Sequence, residues 1–295
     1  MAVQRQQLRH NHPFSKVQGF SIIFLILFLC FSCVTNLPVR DSVSALYIGL
    51  EESAEEPPKK TAKDIYKIRI LNVLSNLSLP QVITENILES LAENTNFIDE
   101  LLVILRQDSG LWKLVDKQHG LPSYFIPSDI VPLKNRNYLV NWPDLSLRSI
   151  AETALNEMAG AARNDGIILR VTSGFRTYQH QAESFARNVR TMGIAAAEMV
   201  SARPGHSQHQ LGLAVDFGGL TNAFARSPEG IWLANNAARF GFSLSYPEGY
   251  EEITGYSWES WHFRYVGMEL AAFICKYFND IQQFALEFIH HFVNY

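Results

Sequence analysis

Cysteine is scarce in this 295-residue chain: there are three, Cys30, Cys33 and Cys275. Two of them close an apolar run near the N-terminus. Cys275 is thereby left without a partner, and a disulfide-stapled scaffold is excluded. Basic runs are missing beyond the first residues and the formal net charge is −4, which gives nucleic acid nothing to bind. Long apolar runs are missing too. The stretch at 20–31 is shorter than the roughly 20 residues that a transmembrane helix requires. No internal repeat occurs, so repeat architectures are set aside.

What is present at the N-terminus reads as a targeting segment. Arg5, Arg9 and Lys16 precede the apolar run, the pattern of a secretory signal. Cys33 follows Ser32 in a loose match to a lipoprotein cleavage site; a plain cleaved signal and an uncleaved anchor are the alternatives. Residues 1–33 are therefore expected to be a signal or lipoprotein anchor, placing the remainder in the bacterial envelope, with membrane contact through this segment alone. Residues 34–62 read as a flexible linker, because Glu51, Glu52, Glu55, Glu56, Pro57, Pro58, Lys59 and Lys60 crowd charge and proline into a stretch with little to bury.

Residues 63–108 read as a helical segment of unreadable role. One apolar helical pattern holds Ile65, Ile68, Ile70, Leu71 and Leu74. Leu77-Ser78-Leu79-Pro80 interrupts it, and a second pattern runs from Val82 to Ile104. From 109 to 295 the texture changes to mixed strands and helices. The spacing predicts helices over 146–163, 178–192 and 229–240 and a buried strand over 167–171. No βαβ period emerges, so the fold class is α+β: a small antiparallel sheet with flanking helices.

Two segments carry metal-binding chemistry. In Leu211-Gly212-Leu213-Ala214-Val215-Asp216 the apolar residues alternate with small ones, as in a strand, so Asp216 shares its face only with Gly212 and Ala214. His209 has the wrong parity for that face and belongs to the preceding turn. In Trp261–Val266, His262 points opposite to Trp261, Phe263 and Tyr265, and Glu259 falls in the loop that leads in. His209, Asp216 and His262 make a three-ligand set that leaves a fourth zinc position open, the mark of a catalytic site. Such a metal lowers the pKa of its water towards about 7. Glu259 fits the general base. Arg176 fits a fixed positive charge for a developing oxyanion. Gln181 and Ser207 stand open between substrate binding and a purely structural role. His206 is set aside as a bystander, and His180, His290 and His291 as structural or solvated.

These residues carry a resemblance. Ser207, His209 and Asp216 match a Ser-x-His pattern followed by Asp; Glu259, Trp261 and His262 match Glu-x-Trp-His. Ser173, Gly174, Phe175, Arg176 and Gln181 match Ser-Gly-aromatic-Arg with a later Gln. The region from about 111 to 276 resembles the VanY-type D-alanyl-D-alanine carboxypeptidases, of the zinc peptidase group that includes VanX-type dipeptidases and the hedgehog domain. The stretch at 121–131 resembles the family's opening segment.

The resemblance implies one Zn2+ on His209, Asp216 and His262, Glu259 as catalytic base, Arg176 at the transition state, and the peptidoglycan stem peptide as substrate. Residues 109–295 then become a zinc D,D-carboxypeptidase-like catalytic domain. Ser260 departs from the proline usual in the family, which is expected to loosen the loop carrying Glu259. The same motifs suit an LD-carboxypeptidase or a peptidoglycan endopeptidase. A non-catalytic zinc-bearing binding module would not need Glu259 and Arg176 together.

Overall fold

The computed structural model describes residues 61–93 and 96–295. The expected signal and nearly all of the expected linker lie outside these described residues. Among the described residues, no helix is long and apolar enough to cross a membrane.

Four helices come first: α1 (Ala62–Asn76), α2 (Gln81–Ala92), α3 (Phe97–Leu105) and the short α4 (Ser109–Trp112). Thr61 and Asp64 start α1 with a reciprocal capping box. Strands β1 (Ile130–Pro132), β2 (Leu139–Val140) and β3 (Ser146–Arg148) follow, then α5 (Ser149–Asn164), β4 (Arg170–Ser173), α6 (Tyr178–Met192) and α7 (Ile194–Val200). A 3₁₀ turn, Gln208–Leu211, leads into β5 (Ala214–Phe217). After α8 (Pro228–Asn236) come β6 (Phe242–Leu244), α9 (Glu251–Thr254), β7 (His262–Tyr265), α10 (Met268–Tyr277) and α11 (Gln282–Asn294).

Five strands form one sheet in the order β2-β4-β5-β7-β6. The four on one side pair antiparallel, as the sequence predicts, whereas edge strand β2 pairs parallel with β4. β1 and β3 form a separate antiparallel pair. That pair takes 146–148 out of the expected helix, because Leu147 is buried opposite Val131 and not on a helical stripe. The strand expected at 167–171 begins later, at Arg170, and Ile168 is left exposed. The expected helix at 229–240 becomes α8 and a 3₁₀ turn over Ala237–Phe240, closed by left-handed Gly241.

Two large apolar cores hold these elements, and a small cluster of Ala202, Tyr246 and Tyr256 stands apart from them. One large core lies between the sheet and α5 and includes Leu155, Met158, Val171, Val215 and Phe263. The other joins the two ends of the described chain: α1, α2 and α3 pack with α10 and α11. Phe97 sits within it, with ring centroids 4.7 Å from Tyr277, 5.0 Å from Phe273 and 5.8 Å from Phe288. The helical segment of unread role thus completes the core beneath the last two helices. The second apolar pattern in this segment divides into α2 and α3 instead of one helix.

Arg264 ties this region to the sheet. Its side chain is fully buried, and Nη2 donates to the carbonyls of Gly110, Leu111 and Lys113 at 3.0, 3.1 and 2.8 Å. Burial pulls its pKa down to about 10.

Candidate metal centre

Asp216 on β5 and His262 on β7 are paired residues of one antiparallel ladder. Directly opposed side chains share a face, so strand register alone brings carboxylate and imidazole together. His262 Nδ1 lies 3.0 Å from Asp216 Oδ1.

His209 arrives from the 3₁₀ turn, and its Nε2 lies 3.2 Å from Asp216 Oδ2. Gly212 makes that approach possible. It ends the turn at φ +69°, in left-handed space, and a Cβ there would meet Ile130 Cδ1 at 2.7 Å. Gly174 serves similarly: a Cβ would meet the Ser146 carbonyl at 2.5 Å, and its own carbonyl accepts from His209 Nδ1 at 2.7 Å. Since Nδ1 donates there, Nε2 is the bare nitrogen facing Asp216.

The set fits a divalent metal. One ligand atom from each of His209, Asp216 and His262 falls within 4.8 Å of the others, and all three residues are buried. Asp216 Oδ1 has no hydrogen-bond donor although His262 Nδ1 is close by. Donor atoms gathered at short range without hydrogen-bond alignment are what a shared ion requires. Burial is the largest influence on Asp216 and would raise its pKa, but the two imidazoles outweigh it and hold the carboxyl well below the usual range. Burial also lowers the pKa of His209, keeping the ring neutral as a ligand must be. Two imidazoles and one carboxylate match zinc in an open, catalytic site.

Glu259 stands in the loop before β7, its Oε2 3.6 Å from His262 Nδ1. Burial drives its pKa up to about 7; the nearby Asp216 pushes the same way, while His262 and Arg176 pull against it. Ser260 does not loosen this loop. Its N–H donates to Asn222 Oδ1 at 3.2 Å, an anchor that proline could not supply.

Arg176 is clamped. Nη1 donates to Gln181 Oε1 and Nη2 to Ser173 Oγ, each at 2.9 Å. Burial lowers its pKa, offset by attraction to Asp216 and Glu259. Gln181 is engaged at both ends, since its Nε2 donates to the Ala202 carbonyl at 2.6 Å. Ser207 Oγ accepts from the His209 N–H at 3.3 Å, leaving the hydroxyl hydrogen free to donate. All three line one cavity of about 350 Å³ with His209, Asp216, His262 and Glu259.

His206 lies outside the set: its Nδ1 bonds the Asp116 carbonyl at 2.8 Å. His180 is exposed on α6, and His290 and His291 are on α11. Sequence reasoning missed Tyr246 and Tyr256, which also line the cavity. The Tyr246 ring lies tilted at 41° to that of His262, with centroids 4.8 Å apart, and the Tyr256 hydroxyl is buried without a partner. Neither belongs to a spaced motif, and only the fold brings them there.

Residues 144–268 match the VanY family model, described as D-alanyl-D-alanine carboxypeptidase. The chain is 36% identical over 180 residues to the putative carboxypeptidase YodJ of Bacillus subtilis, covering 59% of this chain and 66% of that protein. It is 32% identical over 216 residues to a D-alanyl-D-alanine carboxypeptidase of Enterococcus faecalis, covering 69% of this chain and 77% of that one. Of a similarly named Enterococcus faecium protein it spans only about half, 52%. Among solved structures, the LdcB LD-carboxypeptidase superimposes with a TM-score of 0.54 at 35% identity, over 59% of this chain and 84% of that one.

Proposed function

The chain belongs to the VanY family of D-alanyl-D-alanine carboxypeptidases, and from that premise we propose that it is a zinc-dependent carboxypeptidase removing the terminal D-alanine of peptidoglycan stem peptides. The observation that carries this reading is the convergence, in one cavity, of the His209–Asp216–His262 set with Glu259 and Arg176.

When bound, zinc supplies a Lewis acid that makes water nucleophilic near neutral pH. The residues divide the remaining work. His209, Asp216 and His262 hold the ion. Glu259, its pKa raised to about 7, takes a proton from the attacking water at its carboxylate and returns it to the leaving amine. Arg176 meets the negative charge that develops on the scissile carbonyl oxygen. Ser173 and Gln181 fix that guanidinium beforehand, so little reorganisation is left for the transition state. Gln181 thus acts on the substrate chiefly through Arg176, and the Ser207 hydroxyl, which lines the same cavity, can donate to a substrate carboxylate or peptide group.

The basic and apolar N-terminal sequence supports export to the envelope, with lipid attachment at Cys33 or simple signal cleavage. A second reading, LD-carboxypeptidase, draws support from the likeness to LdcB. Product analysis separates them. Pentapeptide losing one D-alanine supports the first reading, tetrapeptide losing one the second, and cross-linked dimer resolved to monomers an endopeptidase. If none of the three changes, the catalytic reading fails and a zinc-bearing binding module takes its place.

A further inference from the structure

Behind the metal ligands lie three buried polar side chains that no motif groups together: Gln208, Ser245 and Gln282. Gln282 opens α11, and its Nε2 donates to the Ser243 carbonyl at 3.2 Å. A carbonyl can only accept, so the Gln282 amide has one orientation, with its oxygen turned away from Ser243. That oxygen accepts from Gln208 Nε2 at 3.2 Å. The Gln208 amide is fixed in turn. Its Oε1 accepts from Ser245 Oγ at 2.7 Å and faces His262 Nε2 at 3.3 Å. An acceptor facing Nε2 requires the proton there, which leaves the lone pair on Nδ1, the nitrogen beside Asp216.

We propose that Gln208 and Gln282 form a polar relay, anchored on the Ser243 carbonyl, that sets the tautomer and ring angle of His262 for metal binding. Both are positioning residues. The inference rests on His262 being a metal ligand, as proposed above. The two imidazoles are then held in opposite tautomers by different means: His209 directly by the Gly174 carbonyl, His262 through two amides. No polar atom of the three side chains is left buried without a partner, the condition under which such a network specifies one arrangement.

The relay also reaches beyond the region matched to the family, 144–268, because Gln282 belongs to α11. α11 shares its core with α1, α2 and α3. The terminal helices thereby become the seat of the outermost relay member and gain a link to the chemistry.

The test uses the full chain and zinc alone. Zinc affinity is measured by competition with a chromogenic chelator for Gln208→Leu, Gln282→Leu and Gln208→Glu. Each Leu variant is expected to bind zinc about 10–100-fold more weakly. Gln208→Glu keeps an acceptor towards Nε2 while losing the donor to Gln282, so it should bind zinc more tightly than Gln208→Leu, a partial rescue that a packing role would not give. Long-range 1H–15N NMR of the zinc-free parent should find His262 protonated on Nε2, with mixed tautomers in Gln282→Leu. Zinc affinities unchanged within about twofold in the Leu variants, or a parent His262 protonated on Nδ1, would overturn the relay. The tautomer of the parent decides even where a variant fails to fold. No peptide enters these measurements, so loss of the carboxypeptidase reading and loss of the relay are separate results.

Discussion

Asp216 and His262 face each other across the β5–β7 ladder, with the carboxylate Oδ1 3.0 Å from the ring Nδ1. The pairing is set by backbone register, so neither residue can shift along its strand without moving the whole sheet. His209 is added from a turn that Gly212 closes. The candidate centre therefore combines two residues on rigid strands with one on a turn.

Removing a ligand should remove the metal. Asp216→Ala and His209→Ala are each expected to lower bound zinc far below one equivalent, measured by metal analysis after dialysis. Thermal melts should lose their zinc-dependent increase, since an ion that binds only the folded state stabilises it by mass action. One retained equivalent in both variants would refute the ligand assignment.

Glu259 yields a prediction of the opposite sign. Its pKa lies near 7 when folded against a reference of 4.5. A carboxyl with a raised folded pKa stabilises the fold fully below its unfolded pKa, and that contribution is lost as pH rises through the folded value. Zinc-free Glu259→Gln, which never ionises, should thus be more stable than the parent at pH 8, by up to about 3 kcal/mol. The gap should narrow towards pH 5 in urea denaturation. The same variant, loaded with zinc, should lose turnover by about three orders of magnitude or more. A parent and variant of equal stability across this pH range would show that Glu259 is not held in a desolvated site.

Arg176 is a fork held at two points, so lysine is no substitute. Arg176→Lys is expected to lower kcat by about 10²–10³-fold, with a smaller change in KM. A rise in KM alone would assign Arg176 to ground-state binding.

The terminal helices should bear much of the stability. Phe97 is fully buried among Phe273, Tyr277 and Phe288. Phe97→Ala is expected to cost about 3–5 kcal/mol in denaturant unfolding. A loss under about 1 kcal/mol would mean that α1, α2 and α3 do not share a cooperative core with α10 and α11.

The site was legible where local pattern decides position. Two-residue alternation puts Asp216 and His262 on strand faces, and their breaks in parity put His209 and Glu259 in loops. What stayed hidden depends on distant apposition. Gln208 neighbours His209 in sequence, but its partner Gln282 comes from α11. Ile65 and Ile68 share one apolar helical pattern with Ile70 and Leu74, yet they are exposed while Ile70 and Leu74 are buried, because only one face of α1 meets α11. Leu147 suited a helical stripe equally well, and pairing with β1 made it part of a strand. Ser260 read as a weakness for lack of a proline ring, when its N–H supplies the anchor to Asn222.

The central claim is that His209, Asp216 and His262 hold a zinc ion on which peptide cleavage depends. The most direct measurement is D-alanine released from a defined stem pentapeptide by the purified protein, first stripped with chelator and then titrated with Zn2+. Release that is absent without metal and saturates at one zinc per chain is the predicted result. Release that is indifferent to chelator and to added zinc would contradict it.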